Sequence, residues 1–399
     1  MTIQQILSAA GDGHLRDGSE CSKELTTFLS EVSTDKLATY VEHCLTTPFT
    51  DSGKVLQDLV NELGRRLDFE VGNGLYQGRS NAAGNDGLWI APEGNALVVE
   101  VKTTDAYRIS LDTIASYQKK LQDSETIDVN SSILLVVGRQ DTGELEAQVR
   151  GSKHAWDVRL LSTDALVSLV KLKESTDEPA TLTKIRSVLV PMEYTRLDGL
   201  IDVMFTAAKD VETSTEAEVK GQTEADPSPT DANAEKKSSF QFTDSEKLQD
   251  KRLAIIAALG KREDATLIKK SRAMYWSPDH RIRAACSISK RYTDTGIAKY
   301  WYAYHPSWDE FLAESESGFF VLGCMDKPFA FAIPRGLVHS VLGDLNTTVK
   351  KDGSGQYWHI HILEPHPGVY ELSLPKKPEN LPLAAHRLDI GSDLTLPVA

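Results

Sequence analysis

Cysteine is scarce here and shows no pattern. Cys21, Cys44, Cys286 and Cys324 lie far apart with no C-x-x-C, which argues against a disulfide framework and a cysteine zinc site. No apolar run is long enough to span a bilayer. The start, Met1-Thr2-Ile3-Gln4-Gln5-Ile6-Leu7, has no basic n-region and too short an apolar stretch for a signal peptide, so a cytoplasmic protein without membrane contact is expected. Neither G-x-G-x-x-G nor G-K-[ST] occurs, so no recognisable NTPase motor is present.

Positive charge is also short overall, with 44 Lys and Arg against 58 Asp and Glu and a formal net charge of -14. The shortage is uneven. Residues 1–209 carry 21 basic and 31 acidic side chains, residues 210–250 carry 4 and 11, and 251–300 carries 12 basic against 4 acidic. The total therefore does not exclude a nucleic-acid partner.

With 40% hydrophobic and 26% charged residues, the chain suits a globular protein of two domains. Residues 1–50 show helical spacing at Leu25, Phe28, Leu29, Leu37, Tyr40, Val41 and Cys44, and are expected to form a helical cover without chemistry of its own. Residues 51–209 alternate helices and strands. A helix over Gly53 to Arg66 precedes a short strand at Phe69–Val71, and further helix is expected over 182–208, with Leu197, Leu200, Ile201 and Met204 as its stripe. Val211 to Ser239 has almost nothing to bury, so 210–242 reads as an acidic flexible linker. Residues 243–399 form a second domain, of α+β type.

The most informative stretch is 85–102. Leu88–Ala91 and Ala96–Val101 are apolar runs around the turn residues Pro92-Glu93-Gly94-Asn95, which predicts a β-hairpin. Glu100 and Lys102 break the second run at i and i+2 and share a face. Such charges are costly to bury unless paired, and Asp86 at the mouth of the first strand is the natural third member. A two-residue turn on Glu93-Gly94 would set Asp86 opposite Val101, on the wrong face. An odd-length loop, or a twist or bulge at Asp86, is therefore required. Two carboxylates beside a lysine suit a divalent cation such as Mg²⁺. The competing reading is a structural salt bridge closing the hairpin.

Asp86 followed by Glu100-Val101-Lys102 resembles the PD-(D/E)XK nuclease superfamily, with Asn85 where that family has a proline. The order of predicted elements over Gly53 to Leu172 resembles it too: helix, three strands, helix, strand, helix, strand. The resemblance implies a mixed α/β sheet flanked by helices and a metal-dependent DNA endonuclease. Asp86, Glu100 and the Val101 carbonyl would hold Mg²⁺, for which Mn²⁺ substitutes, and Lys102 would be catalytic. It also points to Gln57, Asp58 or Glu62 on the first helix, Gln57 first and Glu62 second, against the alternative of a solvated polar face, and to Gln118 on the helix after the hairpin. The biological setting it suggests is bacterial restriction or anti-phage defence. DNA is the expected partner, with a helicase or ATPase from the same operon, or a second copy of the chain, as further candidates. A catalytically silent nuclease-fold binding module and a repair or mobile-element nuclease remain the alternatives.

Glycines at 72, 74, 78, 84 and 87 read as a flexible connection into the hairpin rather than a phosphate cradle. From it Tyr76, Arg79 and Asn81 could meet a substrate backbone. In the second domain, Asp244–Leu259, a break at Gly260 and the basic segment Thr266–Met274 suit a helix-turn-helix presenting Lys269, Lys270 and Arg272 to DNA, or else a helical arm with a solvated basic face. Strands follow, rich in Trp and Tyr. An aromatic pocket for a base and an aromatic β core both fit, the core better. His359 and His361, with Glu364 and His366 nearby, have a spacing that could hold zinc.

Overall fold

The computed structural model describes residues 1–77, 84–103, 110–128, 130–138, 143–177, 179–190, 245–292, 298–349 and 356–390. The chain divides into two compact units, Met1–Val211 and Glu212–Ala399. Both are mixed α/β, and no helix among the described residues is long and apolar enough to cross a membrane.

The first unit runs α1 (Ile3–Ala9), α2 (Glu20–Glu31), α3 (Thr34–Thr46), α4 (Ser52–Arg66), β1 (Glu70–Asn73), β2 (Gly87–Ile90), β3 (Ala96–Lys102), α5 (Leu111–Asp123), β4 (Ser131–Val137), α6 (Gly143–Arg150), β5 (Val158–Ser162), α7 (Thr163–Lys173) and α8 (Pro179–Ser187). Serine side chains at positions 19, 33, 110 and 162 cap α2, α3, α5 and α7, which places the helix starts where unpaired backbone N–H groups find an acceptor. The sheet order is β1-β2-β3-β4-β5, antiparallel through β3 and parallel beyond it.

Helices cover both faces. Leu97, Val99 and Val101 of β3 join the core made with α1 to α4 and α7. Ala96 and Val98, on the alternate face, pack with Leu88, Tyr117 and Leu121. Residues 1–50 thus share one core with the sheet. Residues 191–244, including the Leu197 stripe and the expected linker, lie outside the described residues.

The second unit opens with the helix Ser245–Glu263 and continues with β6 (Ile268–Lys269), β7 (Met274–Trp276), β8 (Ile282–Ser289), β9 (Ala298–Tyr304), β10 (Ser317–Cys324), β11 (Phe329–Pro334), β12 (Asn346–Val349), β13 (Gln356–His366), β14 (Val369–Leu372), β15 (Leu381–Pro382) and β16 (Arg387–Asp389). Short helices at Pro306–Ala313 and Arg335–Val341 intervene. One sheet has the order β16-β11-β10-β8-β7-β6, and the other is built on β13 with β9, β12, β14 and β15. Between them Tyr300, Tyr302 and Tyr304 pack with Phe320 and Phe331, so most of the aromatic content is core.

The helix-turn-helix expectation is overturned. Gly260 does not break the first helix, which continues to Glu263 and stops at Asp264 with φ of 52°. The following basic segment is the β6–β7 hairpin, in which Lys269 pairs with Tyr275 and the Lys270 ammonium lies 4.1 Å from the Trp276 ring centroid. β-Branched and aromatic residues around the lysines favour strand pairing over a second helix.

Candidate active site

The hairpin loop decides the geometry. Ile90 pairs with Ala96 and Gly87 with Val99, so the loop Ala91–Asn95 is of odd length and the register steps from Gly87 toward Glu100 rather than Val101. The ladder ends there. Asp86 N–H donates to the Val99 carbonyl at 2.9 Å, and its carboxylate accepts the Val101 N–H at 2.7 Å. Successive residues of a strand face opposite edges. Since the Lys102 carbonyl takes the Gly138 N–H on the β4 side, Val101 turns its carbonyl to the Asp86 edge.

Glu100 and Lys102 form an ion pair of 2.5 Å through Glu100 Oε1. Glu100 Oε2 is buried and has no hydrogen-bond partner among the described residues. Burial and then the Glu100 charge push the Asp86 carboxyl up to about 7, against the pull of the Val101 N–H and the Lys102 ammonium. Burial works against the Lys102 charge, but the adjoining Glu100 carboxylate, Asp86 and Tyr117 outweigh it and raise its pKa. Two converging carboxylates, one of them inclined to keep its proton, and a buried lone pair left over make a locus for added positive charge.

The Asp86 main chain is held from three directions. Its carbonyl accepts from Gln57 Nε2 at 3.0 Å, Asn61 Nδ2 at 2.9 Å and Gly74 N–H at 3.0 Å. Gln57 and Asn61 are one turn apart on α4, which is why both reach the same atom. Asn61 Oδ1 also accepts the Trp89 indole N–H at 2.9 Å, tying helix to hairpin. Asn85, at the place of the family's proline, is buried and donates to the Gly87 carbonyl at 3.0 Å.

Several expected site residues take other roles. Gln57 uses its amide nitrogen to hold the Asp86 main-chain carbonyl. Glu62 turns to Arg66 at 3.1 Å, and Arg66 also donates to Thr34 Oγ1 at 3.0 Å, so Glu62 joins α4 to the N-terminal helices. Gln118 donates to the Ser131 carbonyl at 2.8 Å. Because Ser131 pairs with Ala96, Gln118 sits at the opposite end of β3 from Lys102. Its neighbour Tyr117 is the α5 residue whose hydroxyl borders Gly84 and acts on Lys102. Tyr76 donates to Asp58 at 2.6 Å instead of standing free for substrate. Arg79 and Asn81 lie outside the described residues. Asn61 was missed by sequence reading; its signal was a polar residue four positions after Gln57 on a helix buried nearly all round.

The zinc reading of the second unit does not survive. His359 Nδ1 accepts from Trp301 Nε1 at 3.0 Å and Nε2 meets Thr348 Oγ1 at 2.7 Å, so both ring nitrogens are used. Among the described residues no group of three or more His, Cys, Asp or Glu side chains could hold a metal.

Asp58 resembles Asp86 in one respect: burial raises its carboxyl to about 7, against Tyr76 and Arg65. A carboxylate raised in the fold contributes stability that is full below its unfolded value of about 4 and is lost as pH rises through the folded value. Metal-free protein is therefore expected to melt at lower temperature at pH 8 than at pH 6, with a smaller drop in Asp58→Asn. Identical pH slopes for the two proteins in thermal melts would contradict this.

No family model matches the chain, and no curated protein is significantly similar to it.

Proposed function

We propose that the first unit is a metal-dependent endonuclease of the PD-(D/E)XK kind that hydrolyses phosphodiester bonds in DNA, in the setting of restriction or anti-phage defence. The observation that carries this is the pair of carboxylates beside Lys102, Glu100 buried and Asp86 half-buried, with Glu100 Oε2 left over. Its chemistry fits Mg²⁺, which takes one or two carboxylates together with water and phosphate oxygens. Asp86, Glu100 and the Val101 carbonyl would hold the ion.

A divalent cation there would supply charge stabilisation to the scissile phosphate and a more acidic water. Asp86 gives up its proton to take part, so cation affinity rises with pH up to about 7. Lys102 orients the attacking water and offsets negative charge as it grows on the phosphoryl oxygens. Gln57, Asn61 and Gly74 keep the Asp86 carboxylate in place.

Supercoiled DNA should be nicked or cut with Mg²⁺ or Mn²⁺ and left intact in EDTA. In calorimetry Asp86→Asn should weaken Mg²⁺ binding at least tenfold. Intact plasmid together with no heat of divalent-ion binding by the wild type would instead favour a nuclease-fold binding module.

A further inference from the structure

Two of the three donors to the Asp86 carbonyl, Gln57 and Asn61, come from α4. The third is the Gly74 N–H, on the segment that leaves β1. That segment is held by Tyr76, two residues on. Its main-chain N–H donates to Asp17 Oδ1 at 2.8 Å, and its hydroxyl donates to Asp58 Oδ2 at 2.6 Å. Two residues of fully extended chain span only about 7 Å, so fixing Tyr76 by backbone and side chain together leaves Gly74 little room to withdraw from Asp86.

The partners of Tyr76 are themselves anchored. Asp58 is buried on α4, the residue after Gln57 and therefore turned to a neighbouring face of the same helix. The Tyr76 ring packs against the core made with α1 to α4 and lies 5.8 Å from the Lys54 ammonium, within cation–π range. Lys54 in turn donates to the Leu15 carbonyl at 2.9 Å. Leu15 and Asp17 belong to the connection between α1 and α2, so the N-terminal helices reach Asp86 through Tyr76. All three donors to the Asp86 carbonyl thus trace to α4, two directly and one by way of Tyr76 and Asp58.

Stability alone does not call for this pair. Asp58 Oδ1 is buried and has no hydrogen-bond partner among the described residues, and burial pushes the carboxyl up to about 7. An orphaned buried oxygen is costly, and apolar groups in place of both partners are in general nearly neutral or stabilising. What an apolar pair lacks is a fixed place for residue 76.

We propose that Asp58 and Tyr76 are positioning residues for Asp86: their hydrogen bond keeps the Gly74 N–H on the Asp86 carbonyl and so sets where the Asp86 carboxylate lies. The functional weight of this rests on the reading of Asp86 as a metal ligand, whereas the link itself is tested in EDTA on metal-free protein.

The test is amide hydrogen exchange, followed by NMR on the full chain isotope-labelled at glycine and valine. The Gly74 N–H reports the bond to the Asp86 carbonyl, and the Val101 N–H reports the bond to its carboxylate. In Tyr76→Phe both should exchange at least tenfold faster relative to Val136 on β4, because local opening leaves the rest of the sheet protected. Asp58→Ala should do the same, and keeps the test decisive if Tyr76→Phe does not fold. In Asp58→Asn, whose amide oxygen still accepts from Tyr76, both amides should stay protected. Calorimetric Mn²⁺ affinity should fall about tenfold in Tyr76→Phe and Asp58→Ala and be kept by Asp58→Asn, the scale expected for groups that orient a ligand. A wild type that binds no Mn²⁺ defeats the cleavage reading, and the exchange rates then decide this proposal alone. Protection of Gly74 and Val101 that is unchanged in folded variants, or lost only in step with Val136, would overturn it, as would unchanged Mn²⁺ affinity beside a wild type that binds.

Discussion

Replacing Lys102 by alanine is expected to lower the rate of DNA cleavage at saturating Mg²⁺ by about a thousandfold or more, while Mg²⁺ affinity stays the same or increases. The two effects separate because of what Lys102 touches. Its ammonium is paired with Glu100 Oε1 at 2.5 Å, so its removal leaves a more negative carboxylate pair, which attracts a cation more strongly once deprotonated. The group that orients the water and offsets transition-state charge is gone, and nothing else described nearby carries positive charge in its place. A structural salt bridge predicts the opposite pattern: loss of Lys102 would lower the melting temperature and leave any cleavage in proportion to the folded fraction. Measuring cleavage and calorimetric Mg²⁺ binding on the same preparation distinguishes them, and equal cleavage by wild type and Lys102→Ala would remove this lysine from the chemistry.

A second large effect is expected at a residue that bears no functional group. A Cβ at Gly74 would stand 1.9 Å from the Asn85 carbonyl oxygen and 2.6 Å from the Asp86 carbonyl carbon. Both are backbone atoms, so no side chain can swing aside and the strand entrance must move. Gly74→Ala should therefore displace Asp86, break its N–H bond to the Asp86 carbonyl and reduce cleavage by about a hundredfold, the scale of an ångström misplacement of a catalytic group. Gly72→Ala is the internal comparison. There a Cβ would meet the Leu88 carbonyl oxygen at 3.8 Å, an ordinary contact, and stability should change by less than about 0.5 kcal/mol with cleavage intact. If Gly72→Ala and Gly74→Ala behave alike, the close approach at Asp86 does not govern the site.

These two expectations depend on different levels of organisation. The pairing of Glu100 with Lys102 was legible in the sequence because side chains two apart on a strand face the same way, whatever the rest of the chain does. The need for an odd-length loop followed from the same periodicity, and Ala91–Asn95 meets it. The apolar spacing of α4, α5 and β4 was equally local. By contrast, Gly74 and Asn61 act on the Asp86 carbonyl from separate elements, and no spacing rule joins positions 61, 74 and 86. Gln118 and Tyr117 show the limit most plainly. They are adjacent in sequence, and only the packing of α5 on the sheet sends Tyr117 toward Lys102 and Gln118 toward Ser131.

In the second unit the strands from Ile282 onward were readable from their aromatic and β-branched content, while the basic segment after Gly260 was misjudged as a helix. Pairing of Lys269 with Tyr275 outweighed local helical spacing there. A cavity lined by Arg252, Arg272, Lys290 and Trp301 was invisible to the sequence, since these residues are brought together only by sheet pairing and the seat of a helix.

The sequence by itself determined the class of most elements, the charged hairpin and which side chains share a strand face, because those follow from periodicities of two and 3.6 residues. Only the tertiary structure decided which polar groups converge on the Asp86 carbonyl, which expected ligands turn away and where a cavity opens in the second unit. Those are contacts between residues distant in the chain, set by how helices and sheets pack rather than by any local repeat.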